Sequence, residues 1–194
     1  PGIDLFAFPG HKGLLGPQGS GALYIRDSCS PLPLREGGTG SASMMLTQPL
    51  DLPDRYESGT APTPAIAGLR AGTQFVQENL RDILSVEKRR TEELWEGLKS
   101  IDGVTVYGPG PDSPRVGVIT FNIGSLDPSQ ATDVLFAEHG IACRAGLHCA
   151  PLAHRFLGTD KRGAIRFSVG PFNTQEDIRT AVKAVYRLSK KGLQ

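Results

Sequence analysis

The sequence has few cysteines, almost no net charge and no long apolar run. Cys29, Cys143 and Cys149 form no C-x-x-C pair, which argues against a disulfide framework or a structural zinc site and favours a reducing, cytoplasmic location. Because 21 basic side chains balance 20 acidic ones, net charge gives no reason to expect nucleic acid or a membrane as a partner. The apolar runs are short, and residues 1–8 do not resemble a signal peptide, so we expect no membrane span.

Glycine and proline are abundant instead. The chain has 24 glycines and 15 prolines, concentrated in its first third and around residues 108–117. They punctuate the sequence and do not form low-complexity tracts. Residues 28–61 have no helical period and exceed the usual length of a structureless connection, which predicts an ordered loop with a function.

The predicted elements are typical of an α/β fold followed by a smaller α+β domain. Thr63 is a predicted N-cap with Pro64 at the first helical position, and Asp82 is predicted to restart this helix after a kink. The other predictions are strands at 3–8, 22–25, 104–107, 116–122, 141–144 and 164–169, a helix at 127–139, and a last helix that begins with a capping box of Thr174 and Asp177. We therefore predict a domain over residues 1–100, including the connecting helix, and a second over 101–194.

A lysine lies in the glycine-rich turn after the first predicted strand. Lys12 follows Gly10 and His11 and precedes four further glycines. A Schiff-base lysine requires a lowered pKa, which burial supplies, and glycines let a flat cofactor approach the main chain. The segment lacks the order of a phosphate-binding P-loop. From these residues alone, a solvent-exposed lysine in a flexible turn remains the alternative.

Residues 8–24 (FPGHKGLLGPQGSGALY) resemble the cofactor-lysine segment of class V aminotransferases and cysteine desulfurases, which are fold-type I enzymes that use pyridoxal 5'-phosphate (PLP). The resemblance implies that Lys12 carries PLP and that His11 helps to bind its phosphate. Residues 37–41 (GGTGS) and 54–60 (DRYESGT) resemble the next two blocks, in which a threonine reaches the phosphate of the partner subunit's cofactor. Thr39 is the stronger candidate and Thr60 the weaker, and both fit ordinary turns as well.

Two later segments complete the resemblance. Residues 144–151 (RAGLHCAP) resemble the catalytic cysteine loop, and residues 163–174 (GAIRFSVGPFNT) resemble the block whose arginine holds the substrate carboxylate. Cys149 would then accept sulfur as a thiolate, for which nearby positive charge is favourable. Arg166 would grip the carboxylate with its planar fork, whereas a structural ion pair is the alternative.

The roles of the neighbouring side chains stay open at this stage. Arg144 either orients the cysteine loop or lines the substrate site, and His148 is either a proton shuttle or a loop residue. His139 and His154 match no motif and are interpreted as surface histidines. An inert core residue is the alternative for each cysteine, and it is the interpretation retained for Cys29 and Cys143.

The sequence departs from the family in two ways. Pro62 stands where members usually carry an asparagine, which removes a side-chain contact but preserves the start of the helix. The N-terminal half, with the ring-stacking residue and the aspartate for the pyridine nitrogen, has no counterpart here, so we expect a fragment that is inactive alone. An open strand edge at residues 3–8 predicts association with another chain.

The resemblance implies a PLP-dependent, dimeric cysteine desulfurase that converts L-cysteine to alanine and an enzyme persulfide, with a sulfur-acceptor protein as a further partner. A selenocysteine lyase or a plain class V aminotransferase is the alternative within enzymes. A non-catalytic interaction or scaffold domain is the alternative from another class of protein.

Overall fold

A computed structural model describes residues 2–191. Its contacts divide the chain into two compact units, Pro1–Leu80 and Arg81–Gln194. The division falls inside a helix, α1 (Thr63–Lys99). The predicted domain boundary at residue 100 coincides with the end of this helix and stays a prediction. Within residues 2–191, no helix combines the length and apolarity that a membrane span requires.

The first unit contains a two-stranded antiparallel sheet of β1 (Leu5–Pro9) and β2 (Gly21–Ile25). Both strands agree with the sequence prediction to within two residues at each end. The structure has no helix or strand between β2 and α1, as expected for the loop at residues 28–61. Each strand of this sheet has one edge that no other described strand pairs with.

This sheet exposes apolar side chains, so we expect the chain to associate. Phe6 and Tyr24 are cross-strand partners and are 50% and 51% exposed. Open strand edges with apolar side chains pair readily with other chains. Light scattering after size-exclusion chromatography should show multimers at high concentration, and Phe6→Lys should reduce them more than Leu34→Lys, which changes an exposed loop residue. A monomer at every concentration would contradict this prediction.

Helix α1 is continuous over 37 residues, so the predicted restart of the helix at Asp82 is wrong. Residues 73–96 contain neither glycine nor proline, and a sharp kink needs one of these or an inserted group. Its start agrees with the prediction, because the helix begins at Thr63 and the Ile66 amide donates to the Pro62 carbonyl at 3.0 Å. The proline therefore preserves the helix start, as expected.

The second unit is a four-stranded antiparallel sheet with helices packed on one face. The elements after α1 are β3 (Val104–Tyr107), β4 (Val118–Ile123), α2 (Pro128–His139), β5 (Arg144–Gly146), α3 (Pro151–Phe156), β6 (Ala164–Ser168) and α4 (Gln175–Lys191), and the strand order is β3-β4-β6-β5. The core gathers Leu98 from α1, Phe121 and Phe167 from the sheet, Leu135 from α2 and Val185 from α4. The strand predicted at 141–144 lies three residues later, and α3 was not predicted.

The helix caps of this unit agree with the sequence prediction. The Asp127 carboxylate accepts hydrogen bonds from the amides of Ser129 and Gln130 at 2.9 and 3.1 Å. Thr174 and Asp177 exchange the two hydrogen bonds of a capping box at 2.8 and 3.2 Å, and the Thr174 amide lowers the pKa of Asp177. These caps satisfy amides that the helices leave free.

Candidate functional site

Hydrogen bonds close the loop between β1 and β2 that carries Lys12. The Leu15 amide donates to the Lys12 carbonyl at 2.9 Å, and the Gly16 amide donates to the Gly10 carbonyl at 2.9 Å. The Gly10 amide in turn donates to the Ser20 carbonyl at 2.8 Å. The backbone next to Lys12 is therefore ordered, which is the condition for a side chain with a defined role.

Two glycines of α1 allow this loop to pack closely against the helix. A Cβ atom at Gly68 would lie 2.5 Å from the Pro17 ring, and one at Gly72 would overlap the Leu14 carbonyl oxygen. Gly68 therefore lets the Pro17 ring, and Gly72 the main chain of the loop, approach the helix more closely than any other residue would allow. The helix thus supports the lysine loop directly.

Gly72→Ala should destabilise the protein, although glycine to alanine in a free helix adds about 1 kcal/mol of stability. The new methyl group meets a backbone oxygen, which can give way only if the loop moves. Chemical denaturation should therefore show a lower free energy of unfolding, whereas Thr73→Ala, at an exposed neighbouring position, should not lower it. A Gly72→Ala protein more stable than the wild type would contradict this contact.

The side chains of His11 and Lys12 are both exposed. A catalytic lysine is expected to be buried, but within residues 2–191 Lys12 is not. The loop packs on α1 through its backbone, and the amine is left exposed to solvent. The position of Gly13, next to it, has no other atom within 4 Å of where a Cβ would lie. The lysine is thus accessible to a ligand with an aldehyde group.

The structure brings the two threonine blocks of the first unit together. The Gly59 amide donates to the Gly38 carbonyl at 2.8 Å, which joins the segment of Thr39 to the segment of Thr60. Thr39 is half-buried, and its hydroxyl lies 3.1 Å from the Ser41 hydroxyl. Thr60 is exposed. The two segments were predicted from separate motifs, and here a backbone hydrogen bond holds them next to each other.

In the second unit, one face of the sheet carries a row of polar side chains across all four strands. Arg166 on β6 lies opposite Arg144 on β5 and Thr120 on β4, and Thr120 lies opposite Tyr107 on β3. Directly opposite residues share a face. The row therefore places two guanidinium groups side by side, with a hydroxyl and a phenol beside them. Motif reasoning did not single out Thr120 and Tyr107, although the strand register identifies them.

Arg166 has an unsatisfied donor. Its Nε is buried and has no hydrogen-bond partner among the described residues, whereas buried polar groups are normally paired. The terminal nitrogens of Arg166 form no hydrogen bond with the described residues either, and they can hold a carboxylate through charge-assisted hydrogen bonds. The structure thus supports an anion site at Arg166, and no described ion pair includes this residue.

Cys149 lies on a strained turn between β5 and α3. His148 and Cys149 have φ angles of 52° and 59°, a left-handed conformation that non-glycine residues rarely adopt and that costs about 1–3 kcal/mol for each residue. The Ala150 amide closes the turn by donating to the Leu147 carbonyl at 2.8 Å. The thiol is exposed, so the turn presents Cys149 to solvent.

His148 lies between β5 and α3 with both ring nitrogens engaged. Nε2 is 3.2 Å from the Arg144 carbonyl oxygen, and Nδ1 is 3.3 Å from Nε2 of His154. Burial lowers the pKa of His148, and the positive charges of Arg166 and Arg144 lower it further, against the opposing effect of the hydrogen bond to the Arg144 carbonyl. The ring is therefore neutral near pH 7.

His154 is not a surface histidine as predicted, because only 3% of it is exposed. Its Nδ1 lies 2.8 Å from the Thr159 hydroxyl oxygen, which is also buried. Sequence reasoning missed this pair because the short helix α3 was not recognised, and its signal was Pro151 at the first helical position. The contact joins the Cys149 turn to the interior of the unit.

The other cysteines fit the interpretation as structural residues. Burial raises the pKa of the Cys143 thiol to about 11, and this side chain packs against the core. Cys29 is half-buried. Of the three thiols, Cys149 is the exposed one.

Comparison with known proteins places these motifs in a family. The model of the Aminotransferase class-V family matches residues 1–180. A probable cysteine desulfurase of Methanothermobacter thermautotrophicus is 33% identical over 198 residues, which cover 98% of this chain and 49% of that protein. The chain therefore spans about half the length of such relatives.

Solved structures share the fold. The apo structure of the cysteine desulfurase from Thermococcus onnurineus NA1 matches with a TM-score of 0.82 and 29% identity, over 97% of this chain and 48% of that one. A C-DES mutant with glycine covalently linked to its PLP cofactor has a TM-score of 0.71 and 23% identity, over 95% and 46% of the two chains. These matches confirm the predicted fold class, a partial PLP-dependent transferase fold, and the chain belongs to the class V aminotransferase family.

Proposed function

We propose that this chain is the C-terminal part of a PLP-dependent cysteine desulfurase, which converts L-cysteine to alanine and leaves the sulfur on Cys149 as a persulfide. The observation that carries the proposal is the second unit's site: an exposed thiol on a strained turn, next to a histidine that two arginines surround. Its relatives with this name support the same activity.

The residues of the first unit fit PLP. Lys12 supplies an accessible amine for the aldehyde, beside a glycine that leaves the space around it open. His11 and Thr39 supply an imidazole and a hydroxyl that can bind phosphate oxygens. When bound, PLP supplies an electron sink that weakens bonds next to the substrate's amino group. Lys12 would hold the cofactor and move the α-proton at its Nζ.

The second unit would hold the substrate and accept its sulfur. Arg166 binds the carboxylate with its terminal N–H groups, which have no partner among the described residues, and Arg144 adds positive charge beside it. The Cys149 thiolate attacks the substrate's sulfur, so that an S–S bond forms while the Cβ–S bond breaks. The bonding electrons return to carbon, which takes up a proton and becomes the methyl group of alanine.

The proposal includes partners and a location. A threonine that reaches the cofactor phosphate of a second subunit, for which Thr39 is the stronger and Thr60 the weaker candidate, requires a homodimer, and a persulfide requires a sulfur-acceptor protein. Three free cysteines are compatible with a reducing, cytoplasmic location. The alternative of a scaffold domain predicts the same fold without cofactor binding.

Product analysis tests the proposed function. The full-length protein that contains this chain, supplied with PLP and L-cysteine, should release alanine and, with a reductant, sulfide in equal amounts. The isolated chain should release neither. Turnover of L-selenocysteine alone, or amino transfer to a 2-oxo acid without sulfide, would favour the selenocysteine lyase or the aminotransferase. No turnover and no PLP binding would favour the scaffold domain.

A further inference from the structure

A chain of hydrogen bonds runs from the interior of the second unit to the turn that carries Cys149. It joins the Thr159 hydroxyl to His154 at 2.8 Å, His154 to His148 at 3.3 Å, and His148 to the Arg144 carbonyl oxygen at 3.2 Å. The inner end is buried, since Thr159 and His154 are 4% and 3% exposed. At the outer end, His148 contacts the Arg144 carbonyl and directly precedes Cys149, the proposed sulfur acceptor.

The chemistry of the outer end fixes the direction of this chain. The Arg144 carbonyl only accepts, so His148 donates from Nε2, and a neutral His148 then accepts at Nδ1. A neutral His154 ring that donates from Nε2 accepts at Nδ1, where the Thr159 hydroxyl is the donor. Every donor then meets an acceptor, and both histidines are Nε2–H tautomers.

The inner end of the chain is held by the backbone. The Thr159 amide donates to the His154 carbonyl at 2.8 Å, and the Gly163 amide donates to the Thr159 carbonyl at 2.7 Å. The Gly163 carbonyl in turn accepts from the Asn122 side chain of β4 at 3.1 Å. The position of His154 is thus set by the same sheet that carries Arg166.

We infer that His154 and Thr159 are positioning residues for Cys149: they hold His148 as the Nε2–H tautomer and thereby fix the left-handed turn that presents the thiol. Two successive residues with positive φ persist only where their surroundings determine them, and this hydrogen-bond chain supplies such surroundings. The consequence for sulfur transfer rests on the proposed function, whereas the chain of hydrogen bonds does not.

The inference also predicts the protonation of His148. Burial is the largest cause that lowers the pKa of His148. The charges of Arg166 from β6, His154 from α3 and Arg144 from β5 lower it further, whereas the hydrogen bond to the Arg144 carbonyl raises it. The N–H of His154 points at the nitrogen that would take this proton. Without that donor, His148 would become charged at a higher pH, and an imidazolium next to Cys149 would lower the pKa of the thiol.

Alkylation of Cys149 in the full chain measures this effect without cofactor or substrate. His154→Phe should shift the pH profile of iodoacetamide labelling to lower pH. Where His148 is charged, below about pH 6.5, a fall of one unit in thiol pKa gives about tenfold more thiolate, offset in part by its lower nucleophilicity, so labelling there should be about threefold faster. His154→Gln, which keeps an N–H donor, should retain the wild-type profile, as should His139→Gln in α2. An unchanged profile in His154→Phe would overturn the inference.

A second pair of variants covers the case in which His154→Phe does not fold, which fast labelling of the half-buried Cys143 would reveal. Nitrogen NMR of the imidazole rings should show His148 and His154 as Nε2–H tautomers in the wild type and in Thr159→Ser. Thr159→Val, which lacks the hydroxyl, should leave His154 as the Nε2–H tautomer but shift its Nδ1 resonance, because that nitrogen loses its hydrogen bond. A wild-type His148 in the Nδ1–H form, or identical spectra for Thr159→Val and Thr159→Ser, would overturn the inference.

Activity of the full-length protein separates the inference from the proposed function. If Cys149 accepts sulfur, His154→Phe should lower kcat while KM for cysteine changes little, because Arg166 is untouched. If no desulfurase activity exists, the proposed function fails, but labelling and NMR still decide whether His154 and Thr159 position the turn.

Discussion

Cys149→Ser should lower release of alanine and sulfide from L-cysteine by about a thousandfold or more, the effect expected when a nucleophile is removed. Sulfur transfer requires a thiolate, and a serine hydroxyl is neither ionised at neutral pH nor able to form a persulfide. The variant should still bind L-cysteine, because Arg166 still holds the carboxylate of the substrate. Lys12 is unchanged in this variant, so the absorbance of bound PLP should stay the same while turnover is lost.

The other two cysteines provide controls in the same protein. Cys29→Ser and Cys143→Ala should keep their activity, since Cys29 is half-buried and burial raises the pKa of the Cys143 thiol to about 11. Equal activity in Cys149→Ser and the wild type would remove this thiol from the mechanism. That result would favour the selenocysteine lyase or the aminotransferase, provided that Lys12 remains essential.

Local signals in the sequence predicted the secondary structure of the second unit well. Thr174 caps its helix as predicted, because a cap depends only on residues within one turn. The helix predicted to begin at residue 127 begins there too, with Asp127 as its N-cap. Alternation of apolar residues predicted β3 and β6 to within one residue. The predicted restart of α1 at Asp82 rested on a weaker signal and is wrong. No glycine or proline lies near Asp82, and the helix continues through it.

The site was less predictable, because its geometry depends on residues far apart in sequence. The motifs identified Arg144, Cys149 and Arg166, but only the strand register shows that the two arginines are neighbours. His154 was misinterpreted for a different reason: its partner Thr159 is only five residues away, but helix α3 between the cysteine turn and Thr159 was not recognised. Burial of Lys12, which the chemistry demands, was expected from the motif and does not occur within residues 2–191.

The exposure of Lys12 makes its chemistry a direct test of the first unit's role. In the full-length protein, Lys12→Ala should abolish both the PLP absorbance band near the visible edge and all turnover of L-cysteine, since no other amine on this loop can form the Schiff base. Borohydride should attach the cofactor permanently to the peptide that contains Lys12 in the wild type. No labelled peptide should appear in the variant.

Lys12→Arg separates the amine from its charge. Arginine keeps the positive charge at an exposed position and leaves the loop's backbone hydrogen bonds unchanged, but a guanidinium does not condense with the aldehyde. Both variants should therefore lose the band, whereas Lys161→Ala, at an exposed position of the second unit, should keep it. A band that persists in Lys12→Arg, or a borohydride label on another lysine, would assign the cofactor elsewhere. Cys149 and Arg166 lie in a separate unit, so that result would not test their roles. The Cys149→Ser variant would still test whether Cys149 accepts the sulfur.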